Sequence, residues 1–140
     1  MLVGKYEQNI DAKGRVNIPS KFRPTLGETF VVAVGEEKCA CIYPVEEWEA
    51  FMERVNAVAA EDKAMLMRYI QQISAECTLD SQGRAVIPPQ IREYAQLTKE
   101  IVVVGEHKKV EIWSLDNWKK YSEKVFDMDK ISDMLKQIGI

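Results

Sequence analysis

The chain contains the same sequence pattern twice. The run Asp11-Ala-Lys-Gly-Arg15 returns 69 positions later as Asp80-Ser-Gln-Gly-Arg84, and a one-residue shift to an offset of 70 extends the match as far as Trp48 and Trp118. A pattern repeated at a fixed spacing is typical of a duplicated structural unit. The sequence therefore predicts two copies of one fold packed together. The identical pairs are Asp11/Asp80, Gly14/Gly83, Arg15/Arg84, Ile18/Ile87, Pro19/Pro88, Arg23/Arg92, Val32/Val102, Val34/Val104, Gly35/Gly105, Glu36/Glu106, Lys38/Lys108, Ile42/Ile112 and Trp48/Trp118.

Length and composition are those of an ordinary globular protein. The 140 residues are 46% hydrophobic and 29% charged. Folding at this size buries roughly two-thirds of the unfolded surface, so neither a disulfide nor a metal is needed for stability. No apolar run is long enough to span a membrane, and Met1 leads directly into patterned sequence without a leader. We therefore expect a cytoplasmic protein with reduced thiols.

The cysteines are the one feature that could suggest a metal site. Cys39 and Cys41 would lie on the same face of a strand, which is half of a ligand set. The remaining candidates are weak, because Cys77 is far away in sequence, His107 is the single histidine and no C-x-x-C spacing is present. Buried cysteines are the simpler interpretation, and we predict no metal and no cofactor.

Charge is distributed unevenly along the chain. The net charge is −3, but residues 1–25 carry five basic and two acidic side chains, a balance of +3. Residues 46–63 carry two basic and six acidic side chains, a balance of −4. For nucleic-acid binding, a local basic surface matters more than the net charge of the chain. The basic segment at residues 1–25 therefore favours such binding.

Turn and helix signals recur in the same order in both halves. Asp and Gly suit the turns at Asp11–Gly14 and Asp80–Gly83, each flanked by strands of a predicted hairpin. Pro19 can open a short helix, and Ser114 is a good N-cap residue. The predicted strands are 6–10, 15–18, 30–34, 39–43, 101–104 and 110–113, and the predicted helices are Ser20–Leu26, 45–58, a connector around 66–73, one from Pro89 and one after Ser114.

These elements divide the chain into four parts. We predict a first repeat at 5–47, connecting helices at 48–75, a second repeat at 76–119 and a C-terminal helix at 120–140. The C-terminal part has an apolar stripe at helical spacing. Two interpretations of that stripe stay open, namely a helix on its own core and a helix that docks on a neighbouring subunit. The stripe consists of Ile131, Met134, Leu135 and Ile138.

The motif D-x-K-G-R-V-x-I-P, followed by a short helix, resembles the AbrB/SpoVT family of swapped-hairpin DNA-binding domains. Two such units with Tyr43-Pro44-x-x-x-x-Trp48 after the first resemble a bacterial branch of transcriptional regulators associated with the division and cell-wall gene cluster. The resemblance implies an α+β fold, a duplicated swapped-hairpin β-barrel with peripheral helices. It also implies a closed ring of subunits, commonly an octamer. The family pattern has a basic residue at the position of Val34, so this chain makes no charged contact there.

The resemblance places DNA reading in the first hairpin, at Lys13, Gly14 and Arg15, with Asp11 setting the turn. The residues add a reason, because three lysines of the first repeat are uncharged in the second, where residues 76–95 sum to −1. We therefore predict DNA binding by the first repeat. The predicted DNA-binding residues are Lys13, Gly14, Arg15, Lys5 and Lys21, and the predicted turn-forming residues are Asp11, Gly14, Asp80, Gly83 and Arg84.

A two-stranded ribbon fits the major groove of double-stranded DNA, where arginine pairs with guanine. Arg15 has an alternative role as the partner of Asp11 in the turn. Because few contacts come from one hairpin, we expect several ring subunits to read short direct repeats, including those of the protein's own promoter, in a nucleoid-associated complex.

Three other functions are weaker interpretations. Asp11 and Asp80 could form a catalytic carboxylate pair, but Gly follows three residues after each Asp and no nucleophile triad can form around one histidine, so we predict no enzyme. An antitoxin-like protein or a partner-binding scaffold of the same superfamily remains as the alternative. The helices around Trp48 and Trp118 could bind a partner, although core packing explains both tryptophans better.

Overall fold

The computed structural model describes residues 1–140 as an α+β fold with two antiparallel sheets and six helices. The larger sheet has six strands in the order β1-β7-β8-β4-β3-β5, and β2 and β6 form a separate two-stranded ribbon. The strands are β1 (Leu2–Asn9), β2 (Arg15–Asn17), β3 (Thr29–Val34), β4 (Ala40–Pro44), β5 (Ser74–Thr78), β6 (Arg84–Val86), β7 (Glu100–His107) and β8 (Val110–Ser114), and the helices are α1 (Arg23–Leu26), α2 (Val45–Asn56), α3 (Ala60–Gln72), α4 (Pro89–Ala95), α5 (Leu115–Val125) and α6 (Met128–Gln137).

Most of the predicted elements are present, and their ends have local causes. Ser114 caps α5 as predicted, because its hydroxyl accepts a hydrogen bond from the Asn117 backbone N–H at 3.0 Å. The short helix predicted from Ser20 begins later, at Arg23. Pro24 lies in its first turn, where the missing N–H costs nothing, so this proline and not Pro19 marks the start of the helix.

The strands that flank each turn pair with the other repeat and not with each other. β1 pairs with β7 and β2 pairs with β6, although β1 and β2 are joined by the turn at Asp11–Gly14. In the same way, β5 of the second repeat pairs with β3 of the first repeat. The simple hairpins predicted at both turns are therefore wrong in their pairing. Turn residues specify where the chain reverses but not which strand completes the ladder.

No closed barrel is found. The six-stranded sheet has two open edges, β1 and β5, and β2–β6 is a separate ribbon. The predicted β-barrel is thus not confirmed, although the mixed α+β class with an antiparallel sheet is.

One hydrophobic core unites the two repeats. It contains 19 buried residues from both ribbon strands, the six-stranded sheet, α1 and α4, including the fully buried Phe22, Phe30 and Ile87. A smaller cluster on the other face of the sheet joins α2 and α3 through Trp48 and Ile70. The predicted core packing of Trp48 is confirmed by this burial.

The two repeats differ in register by one residue between β3 and β7. Val32 pairs with Ile42, and Val103 pairs with Ile112, the matching position of the second repeat. Val103 is therefore the counterpart of Val32, whereas the sequence match pairs Val32 with Val102. Because alternate strand residues point to opposite faces, Val102 lies on the face away from the main core. The sequence alignment is wrong by one residue in this strand.

The helix predicted after Ser114 is α5, which extends to Val125, and the C-terminal helix predicted at 120–140 is confined to α6, Met128–Gln137. No residue of α6 is buried, and three of the four residues of its predicted stripe are exposed, with Ile138 at 77%, whereas Ile131 is half-buried. The interpretation that this helix packs on its own core is therefore wrong. None of the six helices has the length and apolar character needed to cross a membrane.

Candidate nucleic-acid interface

The first turn is organised around the carboxylate of Asp11. One oxygen accepts hydrogen bonds from the backbone N–H groups of Lys13 at 3.0 Å and Arg15 at 2.8 Å, and the other accepts from Arg15 Nε at 2.5 Å. The backbone N–H of Arg15 is the main reason that the pKa of Asp11 lies below its usual range; partial desolvation acts in the opposite direction. The same carboxylate thus fixes both the backbone of the turn and the direction of the Arg15 guanidinium.

The second turn repeats this geometry. Asp80 accepts from the backbone N–H groups of Gln82 and Arg84, both at 2.9 Å, and from Arg84 Nε at 2.8 Å. The backbone N–H of Arg84 is again the main cause of a lowered Asp80 pKa. The two turns share one framework, so the lysine at position 13, where the second turn has Gln82, is a difference in side-chain chemistry alone.

Each turn glycine is covered by an arginine of the other repeat. Gly14 is buried at a φ of +81°, and a Cβ added there would lie 2.6 Å from Nε of Arg92. Gly83 has a φ of +75°, and a Cβ added there would overlap the guanidinium of Arg23. Glycine is required at both positions for its positive φ and for the approach of these side chains.

Backbone hydrogen bonds join the two turns to the opposite strands. The Ile18 N–H donates to the Gly83 carbonyl at 3.0 Å, and the Ile87 N–H donates to the Gly14 carbonyl at 2.8 Å. The arginines are less symmetric, because Arg23 Nε donates to the Ile18 carbonyl at 3.0 Å whereas Arg92 Nε is buried without a hydrogen-bond partner. Each arginine therefore contacts the other repeat by packing on its turn glycine.

The β2–β6 ribbon has one buried and one outward face. Val16 and Ala85 are completely buried opposite each other. Alternation places Arg15 and Asn17 of β2 on the outward face together with Arg84 of β6, which pairs with Asn17. Both motif arginines therefore lie on one face of the ribbon, each held by its own aspartate.

Gln8 and Asn17 form a contact beside the first turn that sequence analysis missed. The Gln8 side-chain amide donates to the Asn17 carbonyl at 2.7 Å and accepts from the Asn17 N–H at 2.9 Å, so it ties β1 to β2 in place of a strand ladder. The counterpart in the second repeat is only a long Cys77 Sγ contact of 3.9 Å to the Val86 carbonyl. The difference between Gln8 and Cys77 was visible in the alignment and could have indicated this clamp.

The five predicted DNA-binding residues do not all lie together. Lys13 is exposed at the turn, Gly14 is buried within it and Arg15 follows directly. Lys21 is exposed between β2 and α1. Lys5 lies four residues before the end of β1, which separates it from the turn by about 13 Å of strand.

Comparison with known proteins was made on the whole chain. The family profile described as "MraZ protein, putative antitoxin-like" matches residues 1–69 and 74–137. A protein of Lachnoclostridium phytofermentans named "Transcriptional regulator MraZ" is 44% identical over 100% of this chain and 99% of its own length. Proteins of the same name from Clostridium tetani and Caldicellulosiruptor saccharolyticus are each 36% identical over the full length of both sequences. The chain therefore belongs to the MraZ family.

Proposed function

We propose that this chain is a sequence-specific, DNA-binding transcriptional regulator that reads DNA with the first turn and β2. Its relatives are named transcriptional regulators, which supports the general function. One structural observation carries the assignment to the first repeat. Two turns with the same framework differ mainly in charge and polarity, and Lys13 and Asn17 in the first correspond to Gln82 and Val86 in the second.

The outward face of β2 offers two side chains that suit base recognition. Arg15 can pair with the O6 and N7 atoms of guanine, and Asn17 can pair with adenine in the major groove. Asp11 aims the guanidinium, and Gln8 holds the backbone of Asn17. A good bidentate pair contributes about 1–3 kcal/mol, which corresponds to a preference of roughly 5- to 150-fold for the correct base.

The remaining lysines serve affinity rather than sequence choice. Lys13 and Lys21 contact phosphates, which position the protein without reading bases. Lys5 strengthens the positive field from its place on β1. Asp11 and Asp80 have no catalytic role in this proposal, because the oxygens of each carboxylate already accept hydrogen bonds from their own turn.

The exchange of strands between repeats underlies the proposed architecture. Residues 5–47 and 76–119 form interlocked swapped hairpins of one barrel-like unit, in which the first reads DNA and the second supports it. The reciprocal contacts of Gly14 and Gly83 with the opposite arginines support this interlocking. A rigid partner fixes the direction of the reading strand, which lowers the entropic cost of binding.

Assembly completes the proposed mechanism. Subunits form a closed ring, an octamer, so that several first repeats engage short direct repeats in the promoter of the division and cell-wall gene cluster, which includes the protein's own promoter. The unburied apolar stripe of α6 supports self-association. Several linked contacts raise avidity by about 10² to 10⁴. The proposed location is the nucleoid within the cytoplasm.

A partner-binding scaffold, including an antitoxin-like role, is the second candidate. A groove between α2, α3 and β3 favours it, because aromatic side chains line the groove and Tyr69 is half exposed there. This candidate requires a protein ligand and no preference among DNA sequences.

Selection of binding sites from random double-stranded DNA separates the two candidates. Wild type, Arg15→Ala and Arg84→Ala are compared, because the two arginines have matching hydrogen bonds and positions on one face. We expect a short repeated box that is enriched by wild type and Arg84→Ala and lost with Arg15→Ala. A folded wild-type protein that enriches no sequence would contradict the proposal.

A further inference from the structure

A cluster of sulfur and carboxylate ligands lies at the centre of the six-stranded sheet. Cys41 of β4 pairs in register with Glu111 of β8, and Cys39 precedes Cys41 on the same face. The Sγ atoms of both cysteines and a carboxylate oxygen of Glu111 all lie within 4.8 Å of one another. The two cysteines are completely buried and Glu111 is half-buried. We propose that these three side chains bind a thiophilic divalent cation, with Zn²⁺ as its representative.

The donor set and its spacing suit zinc. Zinc takes cysteine sulfur at about 2.3 Å in tetrahedral sites, which sets two sulfurs roughly 3.8 Å apart. The three ligand atoms lie at most 4.8 Å apart, which is within about 1 Å of that separation. A water molecule would supply the fourth ligand from the side of Glu111, which is the least buried member of the set. Binding transfers one proton from each thiol to solvent while two Zn–S bonds form, so no oxidant or reductant is needed.

Surrounding residues orient and balance the site. The indole N–H of Trp113 donates to one oxygen of Glu111 at 3.2 Å, which leaves the second oxygen for the ion. Such outer hydrogen bonds fix the direction of metal ligands. Two thiolates, one carboxylate and Zn²⁺ carry a charge of −1 in total. Lys109, two residues before Glu111, is the nearest cation in sequence, and its Nζ also pairs with Glu106 at 3.5 Å.

The site is a feature of one repeat and not of the shared fold. Cys39 and Cys41 occupy the positions of Lys109 and Glu111 in the second repeat, so the architecture does not demand cysteines there. Gly35 provides the space, because a Cβ at that position would lie 2.5 Å from Sγ of Cys41 and 2.8 Å from Sγ of Cys39. The ion would join β4 to β8, the central contact between the repeats, where the strand register contains only three residue pairs.

Titration with Co²⁺ tests the proposal, because thiolate-bound tetrahedral Co²⁺ absorbs strongly in the visible range. The full chain is stripped with chelator and kept reduced. We expect one equivalent of Co²⁺ to bind wild type with thiolate-to-metal charge-transfer bands, and excess Zn²⁺ to remove them. Cys39→Ser and Cys41→Ser should lose the bands. Cys77→Ser is the matched control, because its half-buried thiol lies outside the cluster, and it should retain them.

Two further variants distinguish coordination from nonspecific metal capture. Glu111→Gln should weaken Co²⁺ binding, and Trp113→Phe should weaken it about 10- to 100-fold through loss of the orienting hydrogen bond. A second readout needs no substitution, since Zn²⁺ should raise the unfolding temperature of wild type. Absence of thiolate bands in reduced wild type, retention of the bands in Cys39→Ser and Cys41→Ser, or their loss in Cys77→Ser would each overturn the proposal.

Discussion

Substitution of Gly83 by alanine tests the packing of Arg23, from the first repeat, on the turn of the second repeat. Gly83 has a φ of +75°, and the added methyl group would overlap the guanidinium of Arg23. An alanine in the left-handed region costs about 1–2 kcal/mol. Displacing Arg23 also breaks its Nε hydrogen bond to the Ile18 carbonyl, and a hydrogen bond from a charged group contributes about 1.5–3 kcal/mol. We therefore expect Gly83→Ala to lower the free energy of unfolding by about 2.5–5 kcal/mol.

Gly83→Ala should lower the free energy of unfolding much less when the Arg23 side chain is absent. In an Arg23→Ala background the hydrogen bond is already lost, so Gly83→Ala should cost only the backbone strain of about 1–2 kcal/mol. Urea unfolding of the four proteins of this double-mutant cycle gives the coupling directly. Gly14→Ala is the matched comparison, and we expect a smaller loss there because Arg92 Nε has no hydrogen bond to lose.

Equal costs of Gly83→Ala with and without Arg23 would refute this reasoning. So would a larger loss of stability in Gly14→Ala than in Gly83→Ala.

Three further predictions concern charge and assembly. Lys13→Gln installs the residue of the second turn. It should make the negative slope of log affinity against log salt shallower by about 0.9, because one phosphate contact is lost. The urea midpoint should not change, because Lys13 is exposed. The pKa of Asp80 is lowered in the folded protein. The ionised carboxylate therefore stabilises the fold above about pH 4, and this stabilisation is lost as the pH falls through the folded-state pKa. The difference in urea midpoint between wild type and Asp80→Asn should be larger at pH 7 than at pH 3. Truncation after Asp127 removes α6, which has no buried residue, and should reduce the mass of the assembly in light scattering with little change in unfolding temperature; an unchanged mass would exclude α6 from the interface.

Local chemistry made several elements of the fold predictable from the sequence. The Ser114 cap depends on residues three positions apart, and the apolar run ending at Val34 depends on side-chain type along one strand. Local chemistry did not predict the pairing of β2 with β6, and only the resemblance to swapped-hairpin domains implied an exchange between the repeats. Both strands carry the same motif and the same turn, so either hairpin pairing or exchange between the repeats satisfies the local pattern, and only the complete core selects exchange.

Contacts between residues far apart in sequence account for what was missed. The one-residue slip that makes Val103 the counterpart of Val32 is hidden by a run of similar valines, since identity alone cannot say which face a valine occupies. Gln8 and Asn17 meet only after β1 has paired with β7. Glu111 reaches Cys41 only through the pairing of β4 with β8, so the sequence offered two sulfurs without the carboxylate.

Site-specific photocrosslinking can show which of the two turns contacts DNA. A photoreactive amino acid is placed at Ala12 in one variant and at Ser81 in another, because these exposed residues occupy the same position in the two turns. Each variant is irradiated with DNA that contains the selected boxes and with scrambled DNA of equal length. We expect adducts from position 12 with the selected DNA and few from position 81. Equal adducts from both positions, or adducts from position 81 alone, would contradict this expectation.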